Sequence, residues 1–154
     1  MYFWNIEKLK TQLIERPLTD KETLPYLMLT MAFIPMGFMS QPAQPNMWDY
    51  VLLFINVVSG IAGAYWLYLK NNADAGNHFL QRYFTVGWVA GIRFIVFLIP
   101  VFIVLTGILF FTKSEPIFGE FMGFGGVLLS SALMLTFYWY LGKHIADVAE
   151  KAKY

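Results

Sequence analysis

Four long stretches without a single charged residue dominate this sequence. They are residues 24–48, 50–69, 94–112 and 121–142. A typical soluble domain has about 25% charged residues spread over its surface. This chain of 154 residues has 14% charged residues, and all of them lie between or outside the four stretches. The distribution excludes an ordinary water-soluble domain and indicates an integral membrane protein, whose first partner is the lipid bilayer.

The uncharged stretches are long enough to cross a bilayer as helices. About 20 mostly apolar residues are needed to span roughly 30 Å of hydrocarbon. The segments that meet this requirement are about residues 23–40, 50–69, 84–112 and 121–142. The first is the weakest of them, because it is short and contains Pro25 and Pro35. We therefore predict an all-α fold, an integral membrane four-helix bundle with four transmembrane spans.

The basic residues predict the orientation of these spans. One side of the membrane would carry Lys8, Lys10, Arg16, Lys21, Lys70, Arg82, Lys143, Lys151 and Lys153. The loop segments of the other side contain only Lys113. Because cytoplasmic segments are enriched in Lys and Arg, we expect both termini to be cytoplasmic. The expected location is a plasma (inner) membrane.

The N-terminal residues 1–18 predict an amphipathic interfacial helix. Asn5 is a suitable N-cap, and Ile6, Leu9 and Leu13 fall on one helical face. Such a helix can lie on the cytoplasmic leaflet, cap the bundle or dock on a partner.

The rest of the chain divides into two further parts. Residues 19–143 are predicted to form the transmembrane domain, and residues 144–154 a short cytoplasmic tail. Thr19 and Glu22 have the spacing of a capping box, which predicts that the first spanning helix begins there.

Arg93 is the only charged residue deep within a predicted span. An ionisable side chain inside a membrane is a candidate functional residue. If the third span begins at Phe94, Arg93 lies at the cytoplasmic interface and extends its guanidinium toward water. If the helix instead enters the bilayer at Phe84, Arg93 lies about 14 Å deep and lines a pore or a water-filled cavity.

Small residues recur at helical spacing in two of the spans. The second span contains Ser59, Gly60 and Gly63, and the fourth segment contains Gly119, Gly123, Gly126 and Ser130. Small side chains let helix backbones approach closely, which favours helix association in lipid. The two faces are therefore candidates for packing within one chain or for an interface between subunits.

Asn56 is the most notable polar side chain within the spans. An amide in hydrocarbon can form a hydrogen bond with another helix, or it can line a pore. Both interpretations are open from the sequence.

Catalytic and cofactor-binding patterns are missing from the sequence. The chain has no cysteine, no paired aspartates and no His-Glu-x-x-His pattern, so we expect no catalytic residues and no metal ligands. His78 and His144 lie near the predicted cytoplasmic helix ends and could ligate a haem, but solvated interfacial histidines are the simpler interpretation. A formal net charge of +1 does not favour nucleic acid as a partner.

Three classes of function are compatible with this sequence. The first, which we favour, is a non-enzymatic membrane protein that acts through helix packing, as a homo-oligomer or as a subunit of a larger membrane complex, without a cofactor. The second is a homo-oligomeric ion or small-solute channel, with Arg93 and Asn56 near its conduction path. The third is a small membrane enzyme or haem-binding redox subunit, which has only the two histidines in its favour.

Overall fold

A computed structural model describes residues 2–38, 45–73, 78–112 and 121–152 of the chain. These residues form helices and no strand. The helices are α1 (Ile6–Glu15), α2 (Asp20–Phe38), α3 (Met47–Lys70), α4 (Phe79–Thr112) and α5 (Gly126–Lys151). A π-helical turn, Phe121–Gly125, leads directly into α5.

Side-chain caps explain where two of the helices begin. The Asn5 side chain accepts a hydrogen bond from the Lys8 backbone N–H at 3.0 Å, which caps α1. Before α2, the Glu22 carboxylate accepts from the Thr19 N–H at 2.9 Å, and the Glu22 N–H donates to the Thr19 hydroxyl at 3.4 Å. The capping box predicted from the spacing of these two residues is therefore present. Such caps satisfy backbone donors that the first helical turn leaves unpaired.

Three helices of the described chain are long and apolar enough to cross a membrane. They are α3, α4 and α5. The predicted first span corresponds to α2, which is not among them. Charged residues occupy its first turn, at Asp20 and Glu22, and the predicted span continues into residues 39–40, which lie outside the described residues.

The helices pack side by side in a row. Helix α5 lies between α3 and α4, and α2 packs on α4. Within the described ranges no comparable contact joins α2 to α3. This arrangement differs from a closed four-helix bundle, in which all neighbouring helices would be in contact around a ring.

Glycines in α3 and α5 explain why these two helices pack closely together. A Cβ atom added at Gly63 of α3 would lie 2.4 Å from the Tyr138 ring of α5. A Cβ added at Gly142 of α5 would lie 2.2 Å from the Trp66 ring of α3. At its glycine, each helix therefore contacts an aromatic ring of the other helix. The face of α3 that contains Gly63 and Trp66 is thus packed against α5.

Helix α1 lies lengthwise along α4 and α5. Trp4, just before α1, contacts Arg93, whereas the Leu18 N–H, just after α1, donates to the Gln81 side chain at 3.2 Å. Helix α1 thus runs antiparallel to the first part of α4, with its Leu9 completely buried. From the sequence, the apolar face of α1 could contact a membrane leaflet, the helix bundle or a partner protein. In the structure this face is buried against other helices of the same chain.

The buried core lies at the helix ends against which α1 packs. Its hydrophobic members are Ile6, Leu9, Leu13, Leu18, Tyr26, Leu67, Val86, Val89, Ala90, Leu141, Ile145 and Val148. All of them come from α1 and the segment after it, or from the ends of α2, α3, α4 and α5 that share this side. We call this side the packed end; the distribution of basic residues predicts that it is the cytoplasmic side.

Candidate functional site

Arg93 lies on α4 at the boundary between the packed end and the rest of the helix. It follows the helix start at Phe79 by 14 residues, or about 21 Å along the axis. The face of the Trp4 ring covers its guanidinium, at 5.6 Å from the ring centre. Such a cation–π contact stabilises a cation without supplying a hydrogen-bond acceptor.

The Arg93 guanidinium is incompletely satisfied. Its Nε atom is buried and has no hydrogen-bond partner in the described part of the chain. None of the salt bridges found between described residues includes it. A buried donor without an acceptor is costly, so a site of this kind favours a ligand that brings acceptors.

A cavity of about 520 Å³ opens beside Arg93 between α4 and α5. We call it the Arg93 cavity. Its walls include Trp4, Phe97, Thr136 and Trp139, so they are mostly aromatic. The cavity thus combines one cation with an apolar lining, which is the general composition of sites for amphipathic ligands.

Asn56 lines a different cavity. It is exposed near the middle of α3, where a cavity of about 260 Å³ also involves Ser130 and Met134 of α5. Phe94 contributes to this cavity and to the Arg93 cavity. The structure therefore places the two predicted lining residues in separate cavities that meet at one phenylalanine.

The small residues of the second span serve contacts within the chain. Gly63 receives the Tyr138 ring, and the Tyr138 hydroxyl lies 4.0 Å from a Cβ added at Gly60. Ser59 donates from its hydroxyl to the Ile55 carbonyl of its own helix.

The small residues near the start of α5 have different surroundings. A Cβ atom at Gly123 would lie 2.6 Å from the Trp48 ring, so Gly123 packs within the chain. Among the described residues, no atom outside its own helix backbone lies within 4 Å of such a Cβ at Gly126. Gly119 lies outside the described residues. Of these glycines, Gly126 is the one whose surface is open to another molecule.

The histidines have neighbours of different kinds. His78 precedes α4 and lines a surface cavity with Pro17 and Leu18. The His144 ring packs edge-on against Tyr140 of its own helix, with 4.6 Å between ring centres. The described residues contain no group of three or more His, Cys, Asp or Glu side chains arranged to hold a metal ion.

A polar cluster joins α1 to α5 at the packed end. Lys10 is 8% exposed and forms a salt bridge with Asp147, which also pairs with Lys151. Burial alone would lower the pKa of Lys10, but its hydrogen bond to Asp147 and the charge of that carboxylate raise it above the ordinary value. The pair holds α1 against α5 with the lysine in its charged form.

Arg82 is the residue that sequence reasoning missed. The sequence assigns it to a cytoplasmic loop, yet α4 begins at Phe79, and Arg82 in its first turn is only 2% exposed. Its Nη1 donates to the buried Asn71 side chain at 2.8 Å. Arg82 and Arg93 are separated by three helical turns and share a face, a spacing that could have identified Arg82 as part of the same helix.

Comparison with known proteins gives no relative for this chain. No family model matches it, and neither the curated proteins nor the solved structures contain a match.

Proposed function

We propose that this chain is a four-span integral membrane protein of a plasma (inner) membrane that acts without catalysis, by assembling with further copies of itself. Both termini are cytoplasmic in this proposal. The packed end faces the cytoplasm, and from there α3, α4 and α5 cross the hydrocarbon to the opposite side of the membrane.

The surface of α1 supports this placement. Glu7, Lys8 and Glu15 are exposed on the outside of α1, alongside the first part of α4. Charged side chains are costly in hydrocarbon, so this level of the molecule belongs in water or among the lipid headgroups. Beyond Arg93, in contrast, α4 exposes apolar side chains such as Phe97 at 71% and Ile103 at 67%.

The exposed Asn56 amide is the observation that carries the assembly proposal. It lies near the middle of an apolar helix and beside an open cavity, where lipid offers no hydrogen-bond partner. A second chain can supply that partner, and interhelical hydrogen bonds of this kind contribute about 0.5–2 kcal/mol. The open surface at Gly126 permits close approach by such a chain.

Replacing Asn56 tests the proposal. In nanodiscs or mild detergent, we expect Asn56→Val to shift the chain toward the monomer, as measured by crosslinking and mass photometry. Ser59→Ala is the matched control, because its hydroxyl is already bonded within α3. An oligomer distribution that is the same in wild type and Asn56→Val would contradict the proposal.

The channel, the larger complex and the enzyme or redox subunit stay predictions from the sequence. The separate cavities of Arg93 and Asn56 do not favour one conduction path through a single chain. Ion flux into liposomes, compared between wild type and Arg93→Gln, tests the channel. A Soret absorbance band in the purified protein would support the haem-binding alternative.

A further inference from the structure

In the proposed orientation, the Arg93 cavity lies at the level of the lipid phosphate groups. Trp4 directly precedes α1, whose exposed Glu7 and Lys8 must stay near water. Because the Trp4 ring packs on Arg93, the guanidinium lies just below that water-facing helix. Immediately beyond it, α4 becomes apolar and exposed. The proposed orientation therefore places Arg93 at the transition from headgroups to hydrocarbon.

The Arg93 guanidinium has a donor, Nε, without an acceptor among the described residues. Arginine carries five N–H donors in a planar fork that matches phosphate oxygens. The Trp4 ring occupies the face of this fork, and Nε lacks an acceptor within the described residues. A phosphate bound at the edge of the fork would add acceptors for the guanidinium and leave the ring contact intact.

A second cation lies one helical turn beyond the cavity wall. Lys143 on α5 places its ammonium 3.6 Å from the centre of the Trp139 ring, and Trp139 lines the cavity. Lys143 is exposed. Arg93 and Lys143 therefore give this groove a positive rim, which is typical of anionic headgroup sites between transmembrane helices.

The part of the cavity that lies beyond Arg93 along α4 is suited to an acyl chain. Val96 and Phe97, the residues that continue the cavity along α4, are 44% and 71% exposed. A free phosphate ion would leave this surface unused, whereas the hydrocarbon chain of a lipid would cover it.

We propose that the Arg93 cavity binds an anionic phospholipid, with its phosphate on Arg93 and an acyl chain along Val96 and Phe97. The choice of the cytoplasmic leaflet rests on the proposed orientation. Lipid binding does not require that chains assemble. A negative result for lipid binding therefore leaves the assembly proposal untouched, and a negative result for assembly leaves lipid binding untouched.

Lipid retention by the full-length protein tests this site. Native mass spectrometry of protein from nanodiscs that contain phosphatidylglycerol and phosphatidylcholine would count the lipids that remain bound. We expect preferential retention of phosphatidylglycerol, and about tenfold weaker binding in Arg93→Gln, because a charge-assisted phosphate contact is lost. Lys70→Gln is the matched control: it removes a cation that lies over Trp66 near the same membrane face.

A second variant fills the cavity and keeps the charge. Thr136→Phe places a ring where the Thr136 side chain lines the cavity, and it should also reduce retention. Circular dichroism checks that both variants are folded, and if Arg93→Gln is not, lipid retention by Thr136→Phe decides the test.

Three results would overturn the proposal. They are equal retention of phosphatidylglycerol and phosphatidylcholine by wild type, unchanged retention in the folded variants, and displacement of the lipid by inorganic phosphate at equal concentration. The last result would assign the site to free phosphate.

Discussion

Both halves of α4 carry large apolar side chains, but these side chains have different surroundings in the two halves. In the first half, Val86, Val89 and Ala90 are completely buried against other helices of the chain. In the second half, residues such as Phe97 and Ile103 are mostly exposed. The first half is covered by protein because α1 and its neighbours converge there. The second half is left to lipid or to another subunit, so the same kind of side chain has two structural roles.

The largest expected effect comes from truncating a side chain at the packed end. Leu9 is completely buried, so Leu9→Ala should lower the free energy of unfolding by about 2–5 kcal/mol. Ile103→Ala, in the exposed half of α4, should change it by less than about 1 kcal/mol. Denaturant titration in detergent, followed by tryptophan fluorescence, measures both. Similar losses in the two variants would mean that the two halves are packed equally well.

Glycine substitutions compare the two ends of α5. Gly142→Ala should destabilise the fold by about 1–3 kcal/mol, because the new Cβ collides with the Trp66 ring. Gly126→Ala has open space and should be neutral or stabilising, since alanine favours helix more than glycine does. Thermal unfolding of the two variants in the same detergent checks the difference. Equal midpoints would show that Trp66 can move aside.

The salt bridge between α1 and α5 should have a smaller effect. Asp147→Asn removes the carboxylate that pairs with the nearly buried Lys10, and we expect a loss of about 1 kcal/mol. Glu150→Gln is the control, because Glu150 is exposed on the same helix. If both variants unfold at the same denaturant concentration, the contact between α1 and α5 depends on apolar packing alone.

The smallest expected effect is a pH dependence at the start of α2. Hydrogen bonds from Arg16 and from the Thr19 backbone lower the pKa of Glu22 well below its ordinary value. Ionised Glu22 therefore stabilises the fold above its unfolded pKa of about 4.3, and this contribution is lost as the pH falls through the lowered pKa of the folded state. Unfolding midpoints measured from pH 6 to about pH 3 should fall less steeply in Glu22→Gln than in wild type. Parallel curves would assign the acid sensitivity to other groups.

The candidate site was predictable in part. Arg93 stands out in the sequence because no other charge interrupts an apolar stretch, and the structure places it beside a cavity. Its Trp4 partner comes from a distant part of the chain, so no local pattern indicated that contact. Arg82 was missed because the start of α4 at Phe79 includes residues with the composition of a loop. A charged residue is recognised as buried only when its helix is known.

The sequence alone indicates a membrane protein and one helix start. Charge-free stretches of sufficient length indicate helices that can cross a membrane, and the Thr19–Glu22 spacing marks a helix start, because both depend on residues that are neighbours along the chain. Which helices touch follows only from the three-dimensional packing. The row of α3, α5, α4 and α2, the aromatic rings at Gly63 and Gly142, and the lengthwise docking of α1 depend on which faces meet in space. Helical periodicity identifies a face but does not identify its partner, and that choice is made by shape and packing between distant segments.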